Sequence, residues 1–372
     1  MDRKNYLKGV KRIVVKVGTS NLTDERSRLD SKKIGRLVKD IMSLRKNGKE
    51  VIIVTSGAIG AGIGKLNLKQ RPRDIPMLQA TAAVGQNILM RAYEEYFNKY
   101  NQTIAQVLLT REDFFNRGRY LNVKNTLSNL LKLNVIPIIN ENDTVAIEEI
   151  KFGDNDNLSA LVASNLEADL LLMLSDIDGL YTWDPRKSKR AVLIKEVREI
   201  NSEIEKLGGK ATSRGLGGMK TKIQAAKITS NSGISLILIN GNEKNVIKRV
   251  MSGEEIGTIF LSTGKLADRE HWIAFVSSVK GIIKVDNGAK KALIERGSSL
   301  LPAGIIDLEG NFSADDTVSI VDVNGKEFAR GITNYSSSDV RKIKGVQTKD
   351  IKKILGKKDH NEVIYRGNLV LI

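Results

Sequence analysis

The chain has 372 residues, of which 41% are hydrophobic, 28% charged and 5% aromatic, with a formal net charge of +17, no cysteine and two histidines. That length is more than one ordinary core serves, and the balance of residue types is that of a globular protein of about two domains rather than a disordered or fibrous one. The missing cysteine excludes disulfides, thiol nucleophiles and cysteine-held metals, and His271 and His360 alone supply too little material for a histidine base or a multi-histidine metal site. Residues 1–8 lack the apolar stretch of a signal peptide and no window reaches about 18 apolar residues, so the expected location is the cytoplasm. After residue 280 there are 15 Lys and Arg against 12 Asp and Glu, which leaves +14 of the charge spread over the first 280 residues. Dispersed basic residues, as in 31–46, read as solvated helix faces that add a mild attraction for anionic substrates.

In chain order, the apolar run 12–17 predicts a buried strand. Ile34, Leu37, Val38, Ile41 and Leu44 then recur at helical spacing, and Asn47-Gly48 ends that helix. Further strands are expected at 51–55, 103–109, 135–139, 170–174 and 234–239, with helices at 77–100, 120–133, 158–166 and 218–232 between them. Continuous apolar strands interleaved with amphipathic helices indicate an α/β fold, a mainly parallel central sheet between helix layers. Ligands of such sheets gather at the carboxyl ends of the strands. The polar and glycine-rich clusters 16–20, 56–64, 140–143, 175–178 and 240–241 all follow predicted strands. Beyond residue 281 the pattern shifts to short glycine-punctuated strands at 282–285, 304–308, 317–322 and 328–332, which predicts a small β-rich module.

Three clusters carry candidate chemistry. Residues 57–65, Gly-Ala-Ile-Gly-Ala-Gly-Ile-Gly-Lys, resemble a phosphate loop but lack the spacing of a P-loop or a dinucleotide fingerprint. They suit either close backbone approach to an anion or tight packing. Gly215-Leu216-Gly217-Gly218-Met219-Lys220-Thr221-Lys222 opens a predicted helix. A helix N-terminus accepts phosphate, although a plain cap is the simpler use. Asn140-Glu141-Asn142-Asp143 and Asp154-Asn155-Asp156-Asn157 concentrate more polar groups at strand and helix ends than capping requires.

The ordered motifs Val14-Val15-Lys16-Val17-Gly18-Thr19-Ser20, Val54-Thr55-Ser56-Gly57-Ala58, Ile139-Asn140-Glu141-Asn142-Asp143, Gly153-Asp154-Asn155-Asp156-Asn157-Leu158-Ser159-Ala160 and Gly217-Gly218-Met219-Lys220-Thr221-Lys222 closely resemble those of the bacterial glutamate 5-kinases in the amino acid kinase superfamily. The resemblance spans nearly the whole chain. Asp286-Asn287-Gly288-Ala289 and residues 293–302 look like part of a PUA domain. It implies a catalytic domain over 1–265, a linker over 266–280, a PUA domain over 281–359 and a tail over 360–372.

The implied reaction is ATP plus L-glutamate giving ADP and L-glutamate 5-phosphate, the first step toward proline, with Mg2+ bound mainly through ATP and no protein ligand named for it. A carboxylate acceptor is already ionised near neutral pH, so the chemistry needs positive charge and in-line placement rather than a general base. Carried over residue by residue, Lys16 is expected at the transferring phosphate, Lys222 at the nucleotide phosphates from the opposite side, and Asp156 as the holder of both lysines. Ser56, Asp143 and Asn155 match substrate-binding positions, Asp143 for the α-amino group. Ser175, Asp176 and the segment Leu216, Gly217, Gly218, Met219, Lys220, Thr221 and Lys222 match the nucleotide site. Leu216 departs from the family, which carries a small polar residue there.

The resemblance also implies feedback inhibition by proline and a homo-oligomer, a dimer or tetramer. Other kinases of the superfamily share the lysine and glycine logic, and the trailing PUA module favours the glutamate enzyme. RNA binding through that module is the competing reading from another class. Eight Lys or Arg between 341 and 358 support it, and the scarcity of stacking aromatics there opposes it.

Overall fold

The computed structural model describes residues 3–24, 28–146, 155–209, 218–262, 279–356 and 360–372. The chain divides into two compact units, Met1–Lys265 and Leu266–Ile372. In the first, the described strands are β1 (Arg12–Val17), β2 (Glu50–Thr55), β3 (Ile104–Leu109), β4 (Ile136–Glu141), β5 (Leu170–Ser175), β6 (Glu196–Val197), β7 (Ser235–Asn240) and β8 (Thr258–Phe260). They form one sheet in the order β3-β4-β2-β1-β5-β7-β8-β6. Every pairing is parallel except β7 with β8. The chain leaves β1 for β2 on one side and later returns to place β5 on the other, so β1 borders the point where the winding reverses and a crevice opens at the carboxyl ends.

The longer helices are α1 (Ser31–Lys46), α2 (Ala58–Lys65), α3 (Ile75–Asn98), α4 (Arg117–Lys132), α5 (Asn155–Asn165) and α6 (Met219–Asn231). Local chemistry fixes several ends. Asp30 caps α1 by accepting from the backbone N–H of Lys32 and Lys33, and Gly48 leaves that helix at φ +73°. Asp74 accepts from Met77 N–H at the start of α3, and Asn116 accepts from Arg119 N–H at the start of α4.

Two faces of the sheet follow from the alternation of side chains along each strand. Val15 and Val17 of β1, Leu172 and Leu174 of β5, and Ile237 and Ile239 of β7 join Ile34, Leu37 and Val38 of α1 and Val246, Ile247 and Val250 of the short helix Val246–Met251 in one core cluster. Lys16, paired in register with Met173, alternates to the opposite face.

The glycine-rich run 57–65 is a helix, not a phosphate loop. A Cβ on Gly62 of α2 would lie 1.9 Å from the Thr81 carbonyl oxygen, and one on Gly85 of α3 would lie 1.7 Å from the Ala58 carbonyl oxygen. Gly62 of this run and Gly85 of the facing helix thus serve backbone-to-backbone helix packing. The sequence expectation also ended β4 two residues early, since Asn140 and Glu141 are the last residues of the strand.

The second unit has a five-stranded sheet of β9 (Val279–Val285), β10 (Ile305–Gly310), β11 (Thr317–Val321), β12 (Glu327–Ile332) and β13 (Leu369–Leu371), ordered β10-β9-β11-β12-β13. β9 and β11 are parallel and the other pairs antiparallel. Residues 360–372, expected to be a tail, are part of this unit. β13 pairs with β12, and Val363, Ile364 and Leu369 lie in the core with Ile283, Val318 and Ile320. Most of the expected linker lies outside the described residues. Among the described residues no helix is long and apolar enough to cross a membrane.

Candidate active site

Asp156 opens α5, is fully buried, and stands between two ammonium groups. Lys16 Nζ lies 2.5 Å from its Oδ1 and Lys222 Nζ 3.0 Å from its Oδ2. The Thr221 hydroxyl sits 2.9 Å from the same Oδ2 and 2.8 Å from the Gly218 carbonyl oxygen. Burial alone would raise the carboxyl's pKa, but the facing charges of Lys16 and Lys222 outweigh it and hold Asp156 well below the usual carboxylate range. Two cations against one anion leave the trio itself net positive, with both lysines almost wholly buried. A buried trio of this kind is held by geometry and creates a fixed positive field toward any ligand at the strand ends.

The lysines arrive from opposite ends of the unit. Lys16 is the penultimate residue of β1, whereas Lys222 lies in the first turn of α6. Gly218 caps α6 without a side-chain hydrogen bond, and a helix start of this kind turns its first-turn N–H groups and positive dipole end toward an anion. Ser175 ends β5, and its hydroxyl donates to Asp176 at 3.1 Å. Leu216 and Gly217 lie outside the described residues.

On the β2–β4 side the organiser is Asn155. Its amide nitrogen donates to Asn140 Oδ1 at 2.8 Å, to Ser56 Oγ at 3.3 Å and to the Thr55 carbonyl, fastening the ends of two strands to the start of α5. Asn140 donates in turn to Gln86 Oε1 of α3 at 2.8 Å. Ser56 N–H donates to the Val17 carbonyl at 3.1 Å, after which Gly57 at φ +105° turns the chain into α2. Asp143 lies in the turn after β4, where burial pushes its carboxyl up to about 6 against the opposing charge of Arg71.

Asn140, Gln86 and Arg71 were not singled out from the sequence as site residues. Asn140 stood within a flagged polar run. Gln86, in the middle of the helix Ile75–Asn98 and outside every motif, and Arg71, in a charged loop, carried no local signal. In the second unit, the basic stretch is partly engaged at home. Arg341 donates to the Gly310 carbonyl at 3.1 Å, and Lys344 pairs with Asp307 at 2.7 Å. Lys357 and Lys358 lie outside the described residues.

The model of the amino acid kinase family matches residues 11–240, and that of the PUA domain matches residues 281–355. The glutamate 5-kinase of Caldanaerobacter subterraneus subsp. tengcongensis is 55% identical over 363 residues, which cover 97% of this chain and 98% of that one. The chain belongs to the glutamate 5-kinase family. The family member of Geobacter sp. (strain M21) is 50% identical over the full length of both chains. Among solved structures, the UMP kinase of Bacillus anthracis matches 69% of this chain and 98% of its own, with a TM-score of 0.48 and 18% identity.

Proposed function

We propose that this member of the glutamate 5-kinase family transfers the terminal phosphoryl group of ATP to the side-chain carboxylate of L-glutamate, giving ADP and L-glutamate 5-phosphate in the route to proline. The observation that carries the reading is the buried Asp156 bracketed by Lys16 and Lys222 at the carboxyl edge of the sheet. An ionised carboxylate attacks without a general base. The barrier lies in bringing it against a polyanion and in holding the in-line geometry, and two fixed ammonium groups address both. Lys16 would meet the transferring phosphoryl group and Lys222 the nucleotide phosphates. Asp156 acts as a positioning residue that fixes the separation of the two cations, and the Thr221 hydroxyl fixes the rotation of its carboxylate.

The nucleotide would lie over β5 and the start of α6, met by Ser175, Asp176, Met219, Lys220 and the free N–H groups after Gly218. Mg2+ enters as part of the nucleotide. Both Asp156 oxygens face ammonium groups, so its carboxylate fits a positioning role better than a metal ligand. Glutamate would lie over β2 and β4. Its carboxylates suit Ser56, the Asn155 network and the N-terminal N–H groups of α2, and its α-ammonium suits Asp143. Proline carries the same α-carboxylate and ammonium, which supports competitive feedback at that subsite. A homo-oligomer rests on the family alone.

The test is ADP release with glutamate, aspartate or N-acetylglutamate as acceptor, run with the wild type and Lys16→Ala. Turnover with glutamate that falls about 10³-fold in the variant is expected. Undiminished turnover, or a preference for another acceptor, would overturn the reading.

A further inference from the structure

A cavity of mixed lining with a basic rim lies at the carboxyl ends of β1 and β7 on the α1 side of the sheet, and none of the residues described above as the active site lines it. Its volume is about 250 Å3, and its wall is formed by the turn after β1, by α1 and by the loop after β7. The floor is Asn21, Leu174 and Gly241. Leu174 pairs in register with Val17 and shares the α1 side of the sheet, whereas Lys16 and Asp156 meet on the other side.

The Asn21 side chain is the informative group. Asn21 is 7% exposed, and neither its Oδ1 nor its Nδ2 has a hydrogen-bond partner among the described residues. The amide is clamped. A Cβ on Gly241 would lie 2.3 Å from its Oδ1 and one on Gly18 would lie 3.5 Å from its Nδ2. A buried amide with unused hydrogen-bonding capacity is costly and uncommon unless a ligand or ordered water completes it.

The rim supplies the sign of the ligand. Arg36, Lys39 and Lys244 line the cavity, and no ion pair engages them among the described residues. Lys33 holds the wall by donating to the carbonyls of Ser20 and Thr23, both at 2.8 Å. Of the two acids present, Glu243 is paired with Arg249 at 2.7 Å. The other, Asp40, is pushed up by burial, with Lys39, Lys248 and Arg36 opposing. The field over the cavity is therefore positive, and the volume suits a small metabolite rather than a nucleotide.

We propose that this cavity is a binding site for a small oxyanion, a phosphate- or carboxylate-bearing molecule, held by Arg36, Lys39 and Lys244 at the rim and by the Asn21 amide at the floor. Lys16, Asp156 and Lys222 do not line it, yet the turn that carries Asn21 begins two residues after Lys16, and a Cβ on Gly18 would lie 3.5 Å from Asn21 Nδ2 and 3.9 Å from Lys16 Nζ, so occupancy bears on the strand end that carries that lysine.

The experiment uses the full chain with inorganic phosphate and citrate as probes, against chloride at matched ionic strength. The catalytic edge is saturated with Mg·ADP and glutamate. Thermal unfolding is followed for the wild type, for Arg36→Gln with Lys244→Gln, and for Asn21→Leu. At about ten times Kd, a Tm rise of roughly 3 °C is expected in the wild type with at least one probe, retained under Mg·ADP and glutamate. The double variant, altered only at exposed side chains, should bind at least about tenfold more weakly by calorimetry while keeping its basal Tm. A shift that disappears under Mg·ADP would assign the ion to the catalytic edge. An equal shift in wild type and double variant would reduce it to general salt stabilisation. Either result, or no shift with either probe, overturns the proposal.

Discussion

Asp156 and Asp143 stand at the same carboxyl edge of the large sheet, and their surroundings drive them in opposite directions. Both are largely removed from water. Asp156 faces two ammonium groups within 3.0 Å and is held far below the usual range, while Asp143, with Arg71 as the one opposing charge among the described residues, is pushed up to about 6. The difference shows what burial does to a carboxylate with and without its counter-charges in place. Asp156 is already satisfied by the protein and suits a fixed framework. Asp143 is under-compensated, which is the condition of a group that awaits a cationic partner from a ligand.

The strongest way to break this contrast is Asp156→Asn, which keeps shape and removes the charge. Two buried ammonium groups would then face each other uncompensated, at a cost of about 3–5 kcal/mol in stability, with kcat falling about 10³-fold. Urea unfolding and steady-state kinetics measure the two effects. A variant that unfolds normally and turns over normally would show that the lysines do not depend on Asp156.

Asp143→Asn should act in the other direction on stability. A carboxyl whose folded pKa is raised costs nothing below its unfolded value near 4, and its burial weakens the fold increasingly as pH rises toward 6. The variant is therefore expected to be more stable than wild type by about 1–2 kcal/mol at pH 8 and no different at pH 3.5. Its KM for glutamate should rise about 10²-fold at pH 8. In the wild type, KM for glutamate should climb by about tenfold per unit as pH falls below about 6, with kcat less affected. A KM flat through that range would remove Asp143 from the substrate site.

Thr221→Val sharpens the framework half of the contrast. Losing the hydroxyl 2.9 Å from Asp156 leaves both ion pairs in place and frees the carboxylate to rotate, so kcat should drop about tenfold, KM for ATP should change little, and Thr221→Ser should restore the rate. The smallest effect is expected from a solvent-exposed pair in the second unit. Lys344→Ala breaks the 2.7 Å contact with Asp307 and should leave Tm indistinguishable from wild type, since exposed pairs are screened.

Much of the fold was legible because it rests on local rules. The runs at 12–17 and 51–55 are buried strands, the helix over Ser31–Lys46 has its expected bounds, and Asn47-Gly48 ends it. The glycine run at 57–65 was ambiguous because glycine permits both a phosphate turn and a close helix crossing. The decision lay with Thr81 on the next helix, whose carbonyl closes over Gly62, and with Gly85, which receives Ala58 of the run. The strand Leu369–Leu371 was missed because three residues carry no periodic signal, and only pairing with β12 makes them a strand.

By itself the sequence determined the alternation of strands and helices and the β-rich second unit, since hydrophobic period, capping and turn chemistry act over a few residues, while Lys16, Asp156 and Lys222 stood out through the resemblance of their motifs to the glutamate 5-kinases. The tertiary structure supplied the geometry behind an expectation that only resemblance carried, bringing a lysine on β1 and a lysine on α6, some two hundred residues apart, onto one carboxylate. It alone tied Asn155 to Asn140 and Gln86, and it left the amide of Asn21 buried beneath a basic cavity. Those outcomes depend on which strand ends the winding of the sheet brings together, and distances of that kind are set by packing rather than by the spacing of residues along the chain.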